Sequence, residues 1–473
     1  MVVKLQSSTM TQLQNEITTS HLPQVFQDAI TVAQHLGVFY LWIDALCIKQ
    51  DEGGLDWNIE SQTMDKVYSN AFLNISATMS STGTESLLGQ KRSASLQPAK
   101  ISLFDSTQKN YYIIDGHIWK NEIDDAPLNE RGWVFQERFS ARRILHFGPR
   151  QLAWECYESE ALEVFPDGLH QIPTLVSMSK SHAYKMLRHS NQDRNESEIS
   201  KFVHEYHTLV HNYSKCFLTR SGDKLIAFSG IPKQIQEVRG DFYHAGVWNR
   251  TLPFDLNWYS DQFNEESFPA RESSFRAPSW SWASVSGAVT FPSFSFDGIE
   301  VLIKNWTFIQ PRILRNNYLT NRTYIRLEGL IFPLHIEWSD DDVSSFQVMK
   351  LPFNETFSPE GPAIELDGPD EDVQTLNQNG DIFWMPLFSS NEDIHGIIVG
   401  KVSRSSNFQR FGAIKIPILS MFQRIEQEGS QGSNSTGRVT KRNYSNGMNE
   451  KDWRGQRLME VIKIERCVNI TLQ

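Results

Sequence analysis

The chain has 473 residues, of which 40% are hydrophobic and 21% charged, and its formal net charge is −11. This composition favours a globular protein of two or three domains, and the acidic balance argues against nucleic-acid binding. Four scattered cysteines are too few for a disulfide framework. The sequence also lacks a signal peptide and any run of about 18 apolar residues. Together with the few cysteines, these features predict a cytoplasmic protein that does not enter membranes.

The first strong pattern is an amphipathic helix followed by an apolar strand. Apolar residues recur at 3.6-residue spacing over 22–36, with Pro23 in the first turn and Gly37 as the stop. The next run, 38–43, is apolar without alternation, as in a parallel strand covered on both faces. We therefore predict a helix and then an inner strand that ends at Asp44.

A second helix is predicted over 56–70, followed by a buried strand at 72–77. Strand, helix and strand in this order form a βαβ unit, which predicts a parallel sheet with helices on its faces. The first helix of such a series normally follows a strand, and the sequence before residue 22 provides no good one. We therefore expect this α/β sheet to lack its first strand.

Beyond residue 100 the pattern changes to short strands. Strands at 101–104 and 111–114 are predicted to form a pair, and strands at 144–147 and 152–156 a hairpin around the turn residues 148–151. Further strands are predicted at 324–331 and 394–402, and one helix at 199–215. We predict three parts: an α/β domain at 1–160, a mixed extension at 161–290, and a β-rich region at 291–473. Residues 427–450 are rich in Ser, Gly and Asn, which predicts disorder.

No metal or nucleophile motif emerges. His204, His207 and His211 have the spacing of residues on one helix face. They are either three ligands of a metal ion or three polar residues on a solvated face, and the solvated face is favoured. Cys47 follows the predicted strand, but an unassisted cysteine is more often a small core residue. The sequence lacks a Gly-x-Ser-x-Gly elbow, a Walker loop and a dinucleotide fingerprint. No metal is therefore predicted.

Two acidic residues near one strand end are the site hypothesis. Glu60 lies on the apolar stripe of the second helix, between Trp57 and Met64, and Asp44 ends the preceding strand. A carboxylate on an apolar stripe pairs with a cation, reaches solvent, or works in a cleft. The bland alternative, that Asp44 caps a turn and Glu60 faces the helix N-terminus, is favoured on physics alone.

Two further segments concentrate charge and aromatic residues. Residues 127–138 would form either a fixed polar network or a solvated helix; the charged and amide side chains are Glu130, Arg131, Gln136, Glu137 and Arg138. In 276–284 two tryptophans alternate along a predicted strand, which favours core packing over a ligand shelf.

These segments, in order, resemble the HET (heterokaryon incompatibility) domain proteins of filamentous fungi. The residues that carry the resemblance include Trp42, Cys47, Gln50, Asp51, Trp57, Tyr68, Glu130, Arg131, Trp133, Gln136 and Glu137. The segment 277–284 is similar to the tail that often follows the domain. Members usually begin with a strand carrying Ser-x-x-Trp-Gly, which this sequence lacks, so an N-terminally incomplete domain is expected.

The resemblance implies non-self recognition after hyphal fusion, with a protein partner or self-association, leading to programmed cell death. It also implies a TIR-like parallel sheet, because HET domains have been compared with TIR domains, some of which cleave NAD. By that analogy NAD is a candidate substrate and Glu60 the matching acid, with Asp44 beside it. The rival interpretations are a non-catalytic module that signals by homotypic association and an inactive remnant.

Overall fold

A computed structural model describes most of the chain, in two compact units. The first unit comprises residues 1–192 and 215–240, and the second 193–214 and 241–473. The described residues are 3–51, 54–80, 83–88, 99–102, 110–113, 115–169, 196–260, 275–309, 323–339, 342–348, 356–357, 363–367, 370–401, 407–417 and 468–472. The predicted disordered stretch 427–450 lies outside them. The fold is mixed α/β, in agreement with the coarse prediction.

The first unit contains seven of the named α-helices. They are α1 (Met10–Asn15), α2 (Gln24–His35), α3 (Asp44–Cys47), α4 (Leu55–Glu60), α5 (Met64–Asn70), α6 (Gly132–Ser140) and α8 (Gly230–Arg239). A π-helical turn covers Lys120–Asp124, and 3₁₀ turns cover Thr19–His21 and Ser221–Asp223. The predicted first helix is confirmed as α2. Gly37 follows it with a positive φ of 68°, as expected for a glycine stop.

A four-stranded mixed sheet organises this unit. Its strands are β1 (Asn74–Ser76), β4 (Arg143–Phe147), β5 (Leu152–Cys156) and β6 (Glu160–Leu162), in that order across the sheet. β1 runs parallel to β4, and the other pairs are antiparallel. The predicted hairpin is therefore confirmed. The predicted strand pair near 101–114 is also found, as β2 (Ala99–Ser102) and β3 (Asn110–Ile113).

The two faces of the sheet carry different chemistry. One face is apolar: Ile75, Leu145 and Leu152 pack with Phe147, Val25 and Leu87 in a cluster that includes α2. Residues paired across strands point to the same face, so Ser76 and His146 share the other face, as do Ile144 and Glu155. That polar face interacts with α6, where Arg138 contacts Glu155.

The predicted inner strand at 38–43 is wrong. No strand spans these residues, and Phe39 and Tyr40 are each 92% exposed. An unbroken apolar run becomes a buried strand only if strands pair with it on both sides and layers cover both of its faces. Among the described residues this run has no strand partner, so β1 stands at the edge of the sheet.

The second predicted helix is interrupted. α4 ends at Glu60 and α5 begins at Met64, with a turn between them in which Ser61 is buried. Because 38–43 is not a strand, the predicted βαβ unit is also wrong. The parallel pairing that does occur joins β1 to β4, much later in the chain.

The second unit is dominated by one 11-stranded sheet. Its main path runs β12, β13, β21, β20, β19, β18, β14, β15, β16, while β11 pairs with β18 and β17 with β20. The strands are β11 (Glu300–Val301), β12 (Asn305–Ile309), β13 (Tyr324–Gly329), β14 (Phe332–Ser339), β15 (Asp342–Val348), β16 (Thr356–Phe357), β17 (Ala363–Leu366), β18 (Ile382–Ser389), β19 (Asp393–Lys401), β20 (Phe408–Pro417) and β21 (Val468–Leu472). Both predicted strands of this region, β13 and β19, are confirmed.

Shorter elements complete this unit. They are the helices α7 (Glu196–Ser214), α9 (Leu252–Asp255) and α10 (Asp370–Asn379), and the strands β7 (Tyr243–His244), β8 (Val247–Trp248), β9 (Tyr259–Ser260) and β10 (Val289–Thr290). The predicted helix at 199–215 corresponds to α7. Within the described ranges, no helix combines the length and apolarity needed to cross a bilayer.

The tryptophan-rich segment 276–284 belongs to the core, as predicted, but it is not a strand. Trp280 and Trp282 are fully buried, and residues 282–284 form a 3₁₀ turn. The Trp282 indole donates to the Gly246 carbonyl at 2.9 Å, while Trp258 donates to the Trp280 carbonyl at 3.0 Å. These hydrogen bonds satisfy buried indole groups by loop geometry, which a period-two pattern does not reveal.

Candidate functional site

A cleft of about 950 Å³ opens along the free edge of β1 in the first unit. All of residues 73–77 line it, together with parts of α2, α5, α6 and the extended segment 38–43. Successive residues of a strand point to opposite faces, so a cleft lined by all of them must run along the strand's edge. Within the described residues, the edge of β1 that pairs with no strand therefore forms one wall of the cleft.

Four polar side chains meet in this cleft. Asp44 at the start of α3, Tyr68 on α5, and Arg131 and Glu137 around α6 all line it. The Tyr68 hydroxyl hydrogen-bonds the Glu137 carboxyl group, and the charges of Asp44 and Arg131 act on that carboxyl group. Three separate segments thus converge on one acid.

Glu137 titrates far from its ordinary value of 4.5. Burial and, to a smaller extent, the negative charge of Asp44 raise the pKa of Glu137 to about 7, against the opposing effects of the Tyr68 hydrogen bond and Arg131. The side chain nevertheless keeps partial solvent contact. A carboxyl group with a pKa near 7 is populated in both forms at neutral pH and is therefore able to accept or donate a proton.

The same environment keeps Tyr68 neutral. Burial raises the pKa of Tyr68 well above 10.0, and the charge of Glu137 raises it further. The phenol therefore donates its proton to the carboxylate and does not act as a base. Glu137 is the group in this cluster whose charge changes near neutral pH.

Aromatic rings form the walls beside these polar groups. Trp42 and Tyr68 meet edge to face with centroids 5.7 Å apart, and Trp57 and Trp133 do so at 5.6 Å. All four rings line the cleft. Large rings held in this way offer flat apolar surfaces on which a planar ligand group can stack.

Close contacts on two sides hold α6 in place. Gln136 is buried, and its side-chain oxygen accepts a hydrogen bond from the Gly230 amide at 2.6 Å. At Gly132, a Cβ atom would lie 2.6 Å from the Leu218 Cδ2 atom, so only glycine fits without a shift. The helix that carries Glu137 is therefore held rigidly against its neighbours.

The residue after Glu137 belongs to a buried ion network. Arg138 donates to both carboxylate oxygens of Glu155 at 2.8 and 3.2 Å and to Asp124 at 2.9 Å. Glu155 also lies 3.0 Å from Nε2 of His146, whose Nδ1 is 3.0 Å from the Thr78 hydroxyl. Sequence reasoning named Arg138 only as part of a polar segment and missed the other four residues.

The sequence did contain a signal for this network. His146 and Glu155 are polar residues within two otherwise apolar strands of the predicted hairpin. Once the turn fixes the register, Ile144 pairs with Glu155 and His146 with Ala153, so the two polar side chains are diagonal neighbours on one face. Two polar groups on a covered face require each other as partners.

The two acids of the sequence hypothesis differ in their relation to the cleft. Asp44 lines the cleft, whereas Glu60 is half-buried at the end of α4 and is not among the lining residues. The carbonyl of Glu60 accepts from the Thr63 amide and hydroxyl, which closes the turn before α5. A catalytic role for Glu60 stays a prediction.

The other motif residues have several roles. Trp42, Gln50, Trp57 and Trp133 line the cleft, with the Gln50 amide donating to the Ile48 carbonyl at 2.9 Å. Asp51 accepts from the Ser7 amide at 2.7 Å, which with lesser contributions lowers its pKa. Exposed Cys47 and Glu130 are not lining residues, although the Glu130 carbonyl accepts from the Phe217 amide.

The three histidines of α7 do not converge. His207 is buried against Asp255 at 3.0 Å, His211 hydrogen-bonds the Val289 carbonyl at 2.9 Å, and His204 is exposed. Burial lowers the pKa of His207, against the opposing effect of Asp255. No cluster of three metal-ligating side chains occurs in the described part of the chain.

Residues 3–137 match the family model described as heterokaryon incompatibility protein (HET). Residues 3–137 of this chain therefore contain a HET domain. No curated protein and no solved structure matches the chain. The HET match contains Asp44, Tyr68 and Arg131 and ends at Glu137, so the acid cluster of the cleft lies within the family-defining region. His146 and Glu155 lie beyond it.

Proposed function

We propose that this HET domain protein is an effector of heterokaryon incompatibility whose cleft binds an NAD-type dinucleotide and hydrolyses its N-glycosidic bond. The observation that carries the proposal is the position of Glu137, an acid with a pKa of about 7 in a cleft of about 950 Å³. That volume is at the upper end of those typical for small-molecule sites, roughly 300–1,000 Å³.

The lining residues suit the parts of such a substrate. Trp42 and Trp133 offer rings on which a nicotinamide or adenine would stack. Arg131 supplies an exposed guanidinium group for the pyrophosphate. Asp44 and Glu137 supply negative charge for a ribosyl cation, the species in which positive charge develops when a glycosidic bond breaks.

The proposed step is a hydrolysis. The bond between the ribose C1′ and the nicotinamide nitrogen breaks, and its electron pair leaves with the nicotinamide, which becomes neutral and needs no proton. Water then forms a bond to C1′ and gives a proton to ionised Glu137. Asp44 would stabilise the transient positive charge on the sugar, in line with its predicted place at the site.

The test is the release of nicotinamide from NAD by the purified full chain. Glu137→Gln should lower the rate by at least about 100-fold, in the range for loss of a catalytic acid–base group. Glu158→Gln makes the same change at an exposed position of the same unit and should leave the rate unchanged. Glu60→Gln tests the sequence-based alternative.

Two outcomes would contradict the proposal in different ways. Full activity of Glu137→Gln, with loss in Glu60→Gln, would move the catalytic role to Glu60. No nicotinamide release by the wild-type chain at any protein concentration would exclude NAD cleavage by this protein. Cell death on expression in hyphae, compared between wild type and Glu137→Gln, then tests whether the cleft matters for incompatibility.

A second candidate is non-catalytic signalling by homotypic association. The observation that favours it is the exposure of Phe39 and Tyr40, each 92% exposed in a segment that pairs with no strand in the described part of the chain. Exposed aromatic residues next to an open sheet edge are typical of association surfaces. Sedimentation of the wild type and of a Phe39→Ser, Tyr40→Ser double variant tests this candidate, which predicts oligomers only for the wild type.

A further inference from the structure

The polar face of the first-unit sheet contains a hydrogen-bonded row of side chains that leads to the cleft. The Ser76 and Thr78 hydroxyls are 2.8 Å apart, Thr78 is 3.0 Å from His146 Nδ1, and His146 Nε2 is 3.0 Å from Glu155. Thr78, His146 and Glu155 are at most 1% exposed, and Ser76 is 6% exposed. Of the four, Ser76 and His146 line the cleft.

Glu155 fixes the direction of these hydrogen bonds. It receives two hydrogen bonds from Arg138, whose guanidinium group is always charged, so Glu155 is held as a carboxylate that only accepts. The contact with His146 therefore requires a proton on Nε2. His146 is only 1% exposed, and burial favours the neutral form of an imidazole, in which Nδ1 is then the acceptor.

The acceptor role of His146 Nδ1 also determines which hydroxyl groups of Thr78 and Ser76 donate. Thr78 has one hydroxyl proton, and the 3.0 Å contact to Nδ1 uses it in preference to the 3.3 Å contact to the Ser76 carbonyl. The 2.8 Å contact between the two hydroxyls must then use the proton of Ser76. The Ser76 oxygen is left with lone pairs and no proton to offer to the cleft.

We infer that Ser76 is a ligand-binding residue that accepts a hydrogen bond from a hydroxyl group of the bound molecule, and that Thr78 and His146 are the positioning residues that hold it as an acceptor. A ribose diol provides such donors. The assignment of the ligand rests on the proposed function, whereas the direction of the hydrogen bonds does not.

Binding of ADP-ribose to the full chain, followed by calorimetry, tests the ligand contact. Ser76→Ala should weaken binding by about fivefold, the loss expected for one neutral hydrogen bond. Ser76→Thr keeps the hydroxyl and should bind as the wild type does. Thr78→Val should weaken binding by a similar factor, because it removes the acceptor that orients Ser76, and Thr78→Ser should not.

A double-mutant cycle separates this role from a merely structural one. If Thr78 acts through Ser76, the variant carrying Ser76→Ala and Thr78→Val should bind no more weakly than Ser76→Ala alone. Effects that add fully, or Ser76→Ala binding with wild-type affinity, would overturn the inference. Thermal unfolding of each variant checks that the chain remains folded.

An independent measurement uses no ligand. Nitrogen NMR of histidine-labelled protein should show His146 protonated on Nε2 and bare on Nδ1, with the resonance identified by His146→Gln. A proton on Nδ1 would overturn the inference while leaving the proposed NAD cleavage untouched. Failure of wild-type protein to bind ADP-ribose would instead reject both the proposed function and the ligand contact of Ser76.

Discussion

The carboxyl group of Glu137 on α6 and the hydroxyl of Tyr68 on α5 are joined by a hydrogen bond in the wall of the cleft. The two groups affect each other in opposite directions. The phenol lowers the pKa of Glu137, whereas the carboxylate raises the pKa of Tyr68. The acid of the cleft is therefore adjusted by a neighbour that does not itself ionise near neutral pH.

Glu137→Gln should make the protein more stable at high pH and no more stable at low pH. The folded-state pKa of Glu137 is raised to about 7 from 4.5, so its contribution to stability is complete below 4.5 and lost as the pH rises to 7. Glutamine cannot ionise. Because the Glu137 side chain is partly solvated, we expect Glu137→Gln to raise the free energy of unfolding by about 1–2 kcal/mol above pH 7. Urea unfolding at pH 4 and pH 8 measures this gain, with Glu158→Gln as the control.

Substitutions at Tyr68 and Asp44 should shift the pKa of Glu137 in opposite directions. Tyr68→Phe removes a hydrogen bond that lowers this pKa, so the pKa should rise. Asp44→Asn removes a negative charge that raises it, so the pKa should fall. Carbon NMR of labelled glutamate carboxyls, followed as a function of pH, measures both; shifts of the same sign would show that the cluster is not coupled as described.

Asp28→Asn should loosen the segment 83–88 from α2. The Asp28 carboxylate accepts from the Ser86 hydroxyl at 2.7 Å and the Leu87 amide at 2.6 Å, and burial is outweighed by these and other hydrogen bonds, so its pKa is lowered. We expect a loss of about 1–3 kcal/mol in the free energy of unfolding at pH 7.

The sign of the pH dependence provides a second check on Asp28. A lowered folded-state pKa gives stability that is present above 3.8 and lost as the pH falls below it. The difference between wild type and Asp28→Asn should therefore shrink in acid. Asp125→Asn, which removes a surface ion pair with Lys120, should cost less than about 0.5 kcal/mol at either pH.

Arg410→Lys should destabilise the second unit although it conserves charge. Arg410 is fully buried, forms an ion pair with Asp367, donates to the Leu256 and Trp258 carbonyls, and stacks over the Trp258 ring at 3.7 Å. A lysine cannot make this planar set of contacts, so we expect a loss of about 2–4 kcal/mol. Chemical unfolding measures it, with Arg326→Lys on an exposed position of β13 as the near-neutral control.

Local signals predicted the elements whose formation is decided locally. The stripe of α2 with its Gly37 stop, and the hairpin of β4 and β5 with its tight turn, both follow from nearby residues. The prediction of a strand at 38–43 was wrong because a strand needs a partner elsewhere in the chain. Nothing in these six residues indicates whether such a partner exists.

The same distinction explains the site. Asp44 lines the cleft because it directly follows the segment 38–43, parts of which line it too, although that segment is not the strand that the hypothesis assumed. Glu60 was assigned to an apolar stripe by assuming one continuous helix, and the turn between α4 and α5 removes that premise. The partnership of Ser76 with His146 depends on the parallel register of β1 and β4, which pairs residues 70 positions apart and has no local signature.

The clamped position of α6 has a consequence for natural variation. Two consecutive residues of this helix, Glu137 and Arg138, serve the cleft and the buried ion network respectively. Substitutions at Gln136 or Gly132 would move both without touching any ligand. Under the proposed function, alleles that have lost incompatibility should carry changes spread along this one helix, including positions that never meet a ligand.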